Sequence, residues 1–182
     1  MAMIDITLPD GTVNEYAAGI TCGEVIIDAL GKKHGCVAAK VDGSQRDLTS
    51  TLNTSCSVVG IHSETDEGMH ILRHSAAHLL AQAVVELYPN ALPTIGPAID
   101  RGFYYDFAME PLAQGDLKAI EKKMQQLARQ NLAVERVELD QPSLREHFES
   151  NPYKLEIIDE RLEAGHGSTI YTQGNWYDLC LG

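Results

Sequence analysis

The stretch Asp66-Glu67-Gly68-Met69-His70-Ile71-Leu72-Arg73-His74-Ser75-Ala76-Ala77-His78-Leu79-Leu80-Ala81-Gln82-Ala83-Val84-Val85-Glu86-Leu87 decides the fold class. Met69, Leu72, Ala76, Leu79, Leu80, Ala83, Val84 and Leu87 recur with the period of a helix that turns one face to a core. Asp66 and Glu67 suit its start, because acidic side chains meet the positive end of the helix dipole there. Tyr88-Pro89-Asn90 stops it. A long amphipathic helix, preceded by β-rich sequence and followed by mixed elements, predicts an α+β protein.

Upstream, Ile4-Asp5-Ile6-Thr7-Leu8 alternates like a strand. Pro9-Asp10-Gly11 is a turn signal, and residues 12–16 return as a second strand. Thr21-Cys22-Gly23-Glu24 is a capping-box pattern that opens a helix through Leu30, with Gly31 as its stop. Cys36–Val41 reads as a strand. Asp42-Gly43 is a two-residue hairpin signal, residues 44–48 return, and residues 55–61 form the last strand. The order β-β-α-β-β-β gives a small sheet with one packed helix. His62-Ser63-Glu64-Thr65-Asp66-Glu67-Gly68 is polar and acidic and reads as the linker, so domains are expected at 1–62 and 63–182.

Downstream, residues 93–102 are irregular, and Phe103-Tyr104-Tyr105-Asp106-Phe107 is strand-like. A second helix is expected over residues 114–131. Leu117, Ile120, Met124 and Leu127 line one face of it, and Lys118, Lys122, Lys123 and Arg129 occupy polar positions. Residues 134–139 read as a strand and residues 142–148 as a helix with Pro142 first. Residues 153–158 and 169–172 read as further strands.

The chain has 182 residues, 14 Lys and Arg against 26 Asp and Glu, and a formal charge of −12. A grip on nucleic acid over a wide area calls for an extended basic surface, which this acidic balance does not offer, so RNA contact by these residues alone is expected to be local or weak. No apolar run approaches the roughly 20 residues that span a bilayer. The first residues carry no secretory signature, so a cytoplasmic location is expected. Cys22, Cys36 and Cys56 read as small buried apolar residues rather than a disulfide framework.

His70, His74 and His78 are spaced by four, so neighbouring pairs share a helix face and their rings can converge. Two imidazoles at that spacing hold a metal or a water. His70, near the helix start, is the bystander. Cys180, in Trp176-Tyr177-Asp178-Leu179-Cys180, is the natural third partner, and Asp178 shares its face if the segment is a strand. Lys154 is a lone cation in an apolar segment, and reads as a surface lysine by itself. Tyr104 and Tyr105 read as core or rim aromatics.

Together these residues resemble one family. Arg73-His74-Ser75-Ala76-Ala77-His78-Leu79-Leu80 is similar to the signature of the editing domain of bacterial-type threonyl-tRNA synthetases. Ile95-Gly96-Pro97-Ala98-Ile99-Asp100-Arg101-Gly102-Phe103-Tyr104-Tyr105-Asp106, Tyr153-Lys154 and Tyr177-Asp178-Leu179-Cys180 match its later motifs in order. The front unit, with Leu8-Pro9-Asp10-Gly11 and Asp42-Gly43, resembles the ubiquitin-like TGS domain. The resemblance implies a small β-grasp domain, then an α+β editing domain with a long histidine-bearing helix packed on a sheet.

It also implies a function: hydrolysis of serine wrongly attached to threonine tRNA. His74 and His78 would order the water and the terminal ribose. Lys154 would serve the oxyanion or activate water. Asp178 would anchor the serine amino group or share proton transfer. Cys180 would complete the wall, and Tyr104 or Tyr105, with Tyr104 the first candidate, would contact the terminal adenosine or the substrate. In the family the last motif reads Cys-x-x-x-His, whereas Gly182 follows Cys180 by two residues here. That histidine, the aminoacylation domain with its zinc and ATP sites, and the anticodon-binding domain are expected to be missing from a fragment. No cofactor is expected in this fragment. The full-length family is dimeric through parts outside it, so a monomer is expected. Two other readings stand beside this one. The first is a metal-binding module of His74, His78 and Cys180, three ligands where structural zinc takes four. The second is a non-catalytic tRNA-binding module centred on the front unit.

Overall fold

The computed structural model describes residues 2–163 and 169–180. The chain divides into two compact units, residues 1–72 and 73–182.

In the first unit, β1 (Met3–Thr7) and β2 (Val13–Ala17) form the expected hairpin. Gly11 sits at its tip with φ +85°, a conformation that costs glycine little. After a two-residue β3 (Ile20–Thr21) comes α1 (Cys22–Leu30). Thr21 Oγ1 accepts from the Glu24 amide at 3.2 Å, and Glu24 Oε2 accepts from the Thr21 amide at 2.9 Å, closing the capping box read from sequence. Next follow β4 (Cys36–Val41), β5 (Ser44–Arg46), β6 (Thr51–Leu52) and β7 (Cys56–His62). Asp42 and Gly43 both take positive φ, as a tight hairpin demands. The return strand ends at Arg46, two residues before the expected limit.

The main sheet runs β2-β1-β7-β4-β5, with β1 and β7 parallel, and β3 pairs with β6. Val25 and Ile26 of α1 pack on Ile4, Ile6, Ala39 and Val58 of that sheet, all nearly inaccessible to solvent. A mixed sheet gripping one helix is the β-grasp arrangement.

Helix α2 (Asp66–Leu87) has the bounds the sequence predicts. Thr65 Oγ1 accepts from the Gly68 amide at 3.0 Å and caps it. Its tightest contacts come from Ala77, Ala81, Ala83 and Val84, whereas Met69, Leu72 and Leu87 remain over a third exposed. The alanines let neighbouring elements approach the helix closely, with Leu79 and Leu80 packed partly buried between them.

The second unit continues with β8 (Leu92–Pro93), β9 (Ala98–Ile99), β10 (Gly102–Phe103) and β11 (Phe107–Ala108). The expected aromatic strand is therefore split in two. Thr94 N–H donates to Asp106 O and Asp106 N–H to Ile95 O, both at 2.9 Å, and these bonds hold residues 104–106 in a loop. Then come α3 (Gln114–Gln130), β12 (Val134–Glu138), α4 (Gln141–His147), α5 (Pro152–Glu163), β13 (Thr169–Gln173) and β14 (Trp176–Cys180).

The structure corrects the strand expected at residues 153–158, which lies within α5. Asn151 caps this helix with its side chain on the Lys154 amide, and Pro152 suits its first turn. Lys154 and Ile158, four apart, are its buried residues among those described, which is helical spacing. The sheet runs β12-β13-β14, all antiparallel. Ile170 and Leu179 on one face pack against Leu144, Phe148 and Ile158. The other face of β14 carries Trp176, Asp178 and Cys180 toward α2. Among the described residues no helix is long and apolar enough to cross a membrane.

Candidate active site

One turn of α2 and the end of β14 meet at a polar cluster. His74 and His78 share a helix face, and their rings stand edge to face with centroids 4.6 Å apart and Nε2 atoms 3.1 Å apart. His78 Nδ1–H donates to Asp178 Oδ2 at 3.0 Å, and His74 Nε2 lies 3.3 Å from Cys180 Sγ. Tyr171 and Trp176 flank His78 with ring centroids at 6.2 and 6.1 Å. His70 is exposed, in keeping with its reading as a bystander.

Lys154 is only 2% exposed, so it is no surface lysine. Its ammonium donates to Asp178 Oδ1 at 2.7 Å and to the Tyr105 hydroxyl at 3.0 Å. Asn151 positions it: the amide side chain caps α5 and its Nδ2 donates to Pro93 O at 2.8 Å. The Asn151-Pro152 pair is the sequence signal for this start, a capping residue followed by proline.

The structure brings Tyr105, not Tyr104, to this cluster. Tyr105 O–H donates to Asp178 Oδ2 and its ring stacks on Phe107 at 5.0 Å, whereas Tyr104 is 46% exposed. Residues 105 and 107 point inward together, and that alternation turns residue 104 outward. A β-carbon at Gly96 would run into the Tyr105 ring. Gly96→Ala is therefore expected to cost about 1–3 kcal/mol of stability by overpacking. It should also break the Tyr105–Asp178 bond, read as altered Tyr105 ring resonances beside a urea unfolding curve.

Asp178, 1% exposed, accepts from Lys154, Tyr105, His78 and the Leu179 amide, which fills the roughly four acceptor sites of a carboxylate. Burial alone would raise its pKa, but the His78 bond and the Lys154 charge outweigh that and hold it below the usual carboxylate value. Burial would likewise lower His78, yet bonds to Asp178 and Cys180 and their charges raise it to about 9. Burial and the Asp178 charge push the Tyr105 phenol well above its ordinary value, so it stays a donor. At neutral pH His78 is thus an imidazolium whose second proton, on Nε2, faces His74 Nε2. That ring nitrogen accepts from His78 in this arrangement.

The ligand atoms of His74, His78 and Cys180 all lie within 4.8 Å of one another. Gly182, after which the family pattern places its last histidine, lies outside the described residues.

Known proteins match the whole stretch. The threonine–tRNA ligase of Hyphomonas neptunium is 44% identical over 99% of this chain and 28% of its own length. That of Thermoplasma acidophilum is 39% identical over 96% of this chain and 25% of its own. That of Lactococcus lactis is 42% identical over 99% and 28%. No family model matches the chain. The chain spans little more than a quarter of the length of these relatives. By residues that run nearly end to end through both units, the chain belongs to the threonine–tRNA ligase family and corresponds to its N-terminal region.

Proposed function

We propose that the second unit is a proofreading esterase that removes serine from threonine tRNA, with residues 1–62 as a TGS domain and residues 63–182 as an editing domain. The observation that carries this reading is the convergence of His74, His78, Lys154, Asp178 and Cys180, with Tyr105, in one cluster. A second site has a physical need behind it. Serine lacks one methyl of threonine, and a methyl is worth only about 1–3 kcal/mol of discrimination. In the whole enzyme, threonine would be joined to its tRNA with ATP elsewhere in the chain, in the cytoplasm.

Hydrolysis needs water placed at the ester carbonyl, a base for its proton, and positive charge at the oxyanion. Water adds to the carbonyl carbon, the bond to the ribose oxygen breaks, and that oxygen takes a proton. His74 Nε2, the acceptor from His78, is placed to take the water's proton once substrate parts the two rings. His78, already protonated, stabilises negative charge or returns a proton to the ribose oxygen. Lys154 sets the positive potential of the pocket. Asp178, with its acceptor sites filled, holds His78, Lys154 and Tyr105 in place; a substrate amino group reaches it only by displacing one of them. The terminal nucleotide of the tRNA and its seryl ester are the ligands.

The test is deacylation of seryl-tRNA by the protein and its variants. His74→Ala and Lys154→Ala are each expected to lower the rate about 100-fold or more. Unchanged rates in both would dismiss these assignments. His74 beside the sulfur also suits a thiolate mechanism; retained activity in Cys180→Ala separates water attack from that route.

A metal centre is the second reading, and the residues fit it. The separations of 3.1 and 3.3 Å approach the edges of a zinc tetrahedron, ~3.4–3.6 Å from ordinary Zn–N and Zn–S lengths. Asp178 on the far nitrogen of His78 is the usual outer partner of a metal-bound imidazole. A bound zinc supplies Lewis acidity and an acidic water. Elemental analysis with one zinc per chain favours this reading.

A further inference from the structure

Helix α3 carries charge that the candidate site does not use. Lys118, Lys122, Gln125 and Arg129 are all exposed. At 3.6 residues per turn they fall within a sector about 60° wide and extend ~16 Å along the axis. Ile120 and Leu127, 4% and 2% exposed, lie on the opposite side and hold α3 against Ala83 and Val84 of α2. The stripe therefore points away from the core. Lys123, off the stripe, is engaged with Glu86 at 2.5 Å. No ion pair among the described residues engages Lys118, Lys122 or Arg129. The acid bordering the stripe is Glu121, which accepts from Gln125 Nε2 at 3.4 Å.

Three cations in line, with an amide between them, suit a row of anions rather than one. A single carboxylate or phosphate is too small to engage all three. In a chain with 26 acidic and 14 basic residues, a polyanion is repelled by most of the surface, which favours a local landing site such as this one. We infer that this face of α3 binds consecutive backbone phosphates of the RNA whose 3′ end enters the His74/His78 cluster. The inference rests on the function proposed above and extends it to the affinity surface. The stripe lies on the far side of α3 from α2, about two helix widths or ~20 Å from the histidines. The terminal nucleotide cannot touch it, but phosphates further back along the strand can. The stripe therefore acts on binding and not on bond cleavage.

The test compares the full chain with a K118Q/K122Q/R129Q variant. Deacylated threonine tRNA is titrated at several KCl concentrations. The variant is expected to bind at least tenfold more weakly at low salt, with a salt slope smaller by about 2–3. A K118R/K122R/R129K variant should bind as the original does. On seryl-tRNA the glutamine variant should raise KM and leave kcat unchanged, and its hydrolysis of 3′-O-seryl-adenosine should be normal. Equal affinity and an equal salt slope overturn the inference. So does displacement of polyglutamate but not tRNA by the glutamine substitutions, which marks the face as one for an acidic polypeptide. If neither protein cleaves the small ester while the tRNA titration responds as expected, the esterase reading fails and the phosphate surface stands.

Discussion

Asp178→Asn is expected to lower the unfolding free energy by about 3–5 kcal/mol, the usual cost of removing one partner of a buried ion pair. The substitution preserves volume, so no cavity contributes. It leaves the Lys154 ammonium, 2% exposed, without its counter-charge at 2.7 Å, and withdraws the carboxylate from His78. It also puts an amide N–H₂ where one of the four donors now points. Seryl-tRNA deacylation should fall by about three orders of magnitude, because Asp178 ties three site residues together. Urea unfolding and single-turnover deacylation read the two effects separately. A double variant, Asp178→Asn with Lys154→Met, should recover part of the stability and none of the activity, since the stranded charge is gone. If Asp178→Asn alone unfolds at the original urea midpoint, the buried pair is not what holds the site.

Stability is also expected to fall as the solution is made alkaline. His78 is raised from an ordinary 6.5 to about 9, because the Asp178 bond and its charge, with those of Cys180, outweigh burial. A raised histidine contributes stability that is fully present below the unfolded value of 6.5. That contribution is lost as pH rises through about 9. The difference corresponds to about 3 kcal/mol. Asp178 has the opposite sign: it is lowered, so its contribution is present above the ordinary carboxylate value and lost in acid. Urea unfolding at pH 6, 7.5 and 9.5, for the protein and for His78→Asn, isolates the histidine. Parallel curves for the two would show that His78 gains no proton affinity on folding.

Much of the architecture was legible from short-range chemistry. The α2 bounds, the Thr21–Glu24 capping box and the Asp42-Gly43 turn are set by residues within a few positions of one another. So are the alternation that puts Asp178 and Cys180 on one face of β14, and the four-residue step of His74 and His78. In each case the backbone period or a local donor and acceptor fixes the outcome before any distant contact forms.

Other features depended on distance in space. Residues 153–158, Tyr-Lys-Leu-Glu-Ile-Ile, carry enough aromatic and branched side chains to pass for a strand. The local Asn151-Pro152 start is reinforced by the docking of Asn151 on Pro93 and by the burial of Lys154 and Ile158 on one side of α5. That docking turns a nominal surface lysine into the partner of Asp178. The choice between Tyr104 and Tyr105 was equally hidden, because it follows from the pairing of Thr94 and Ile95 with Asp106. His74 meets Cys180 across 106 residues of chain and His78 meets Asp178 across 100. By itself the sequence determined which helices and strands carry the chemistry and which way most of them face, because periodicity and capping are local. Tertiary structure alone decided which side chains share a proton or a charge, because burial and pairing belong to surfaces that only folding brings together.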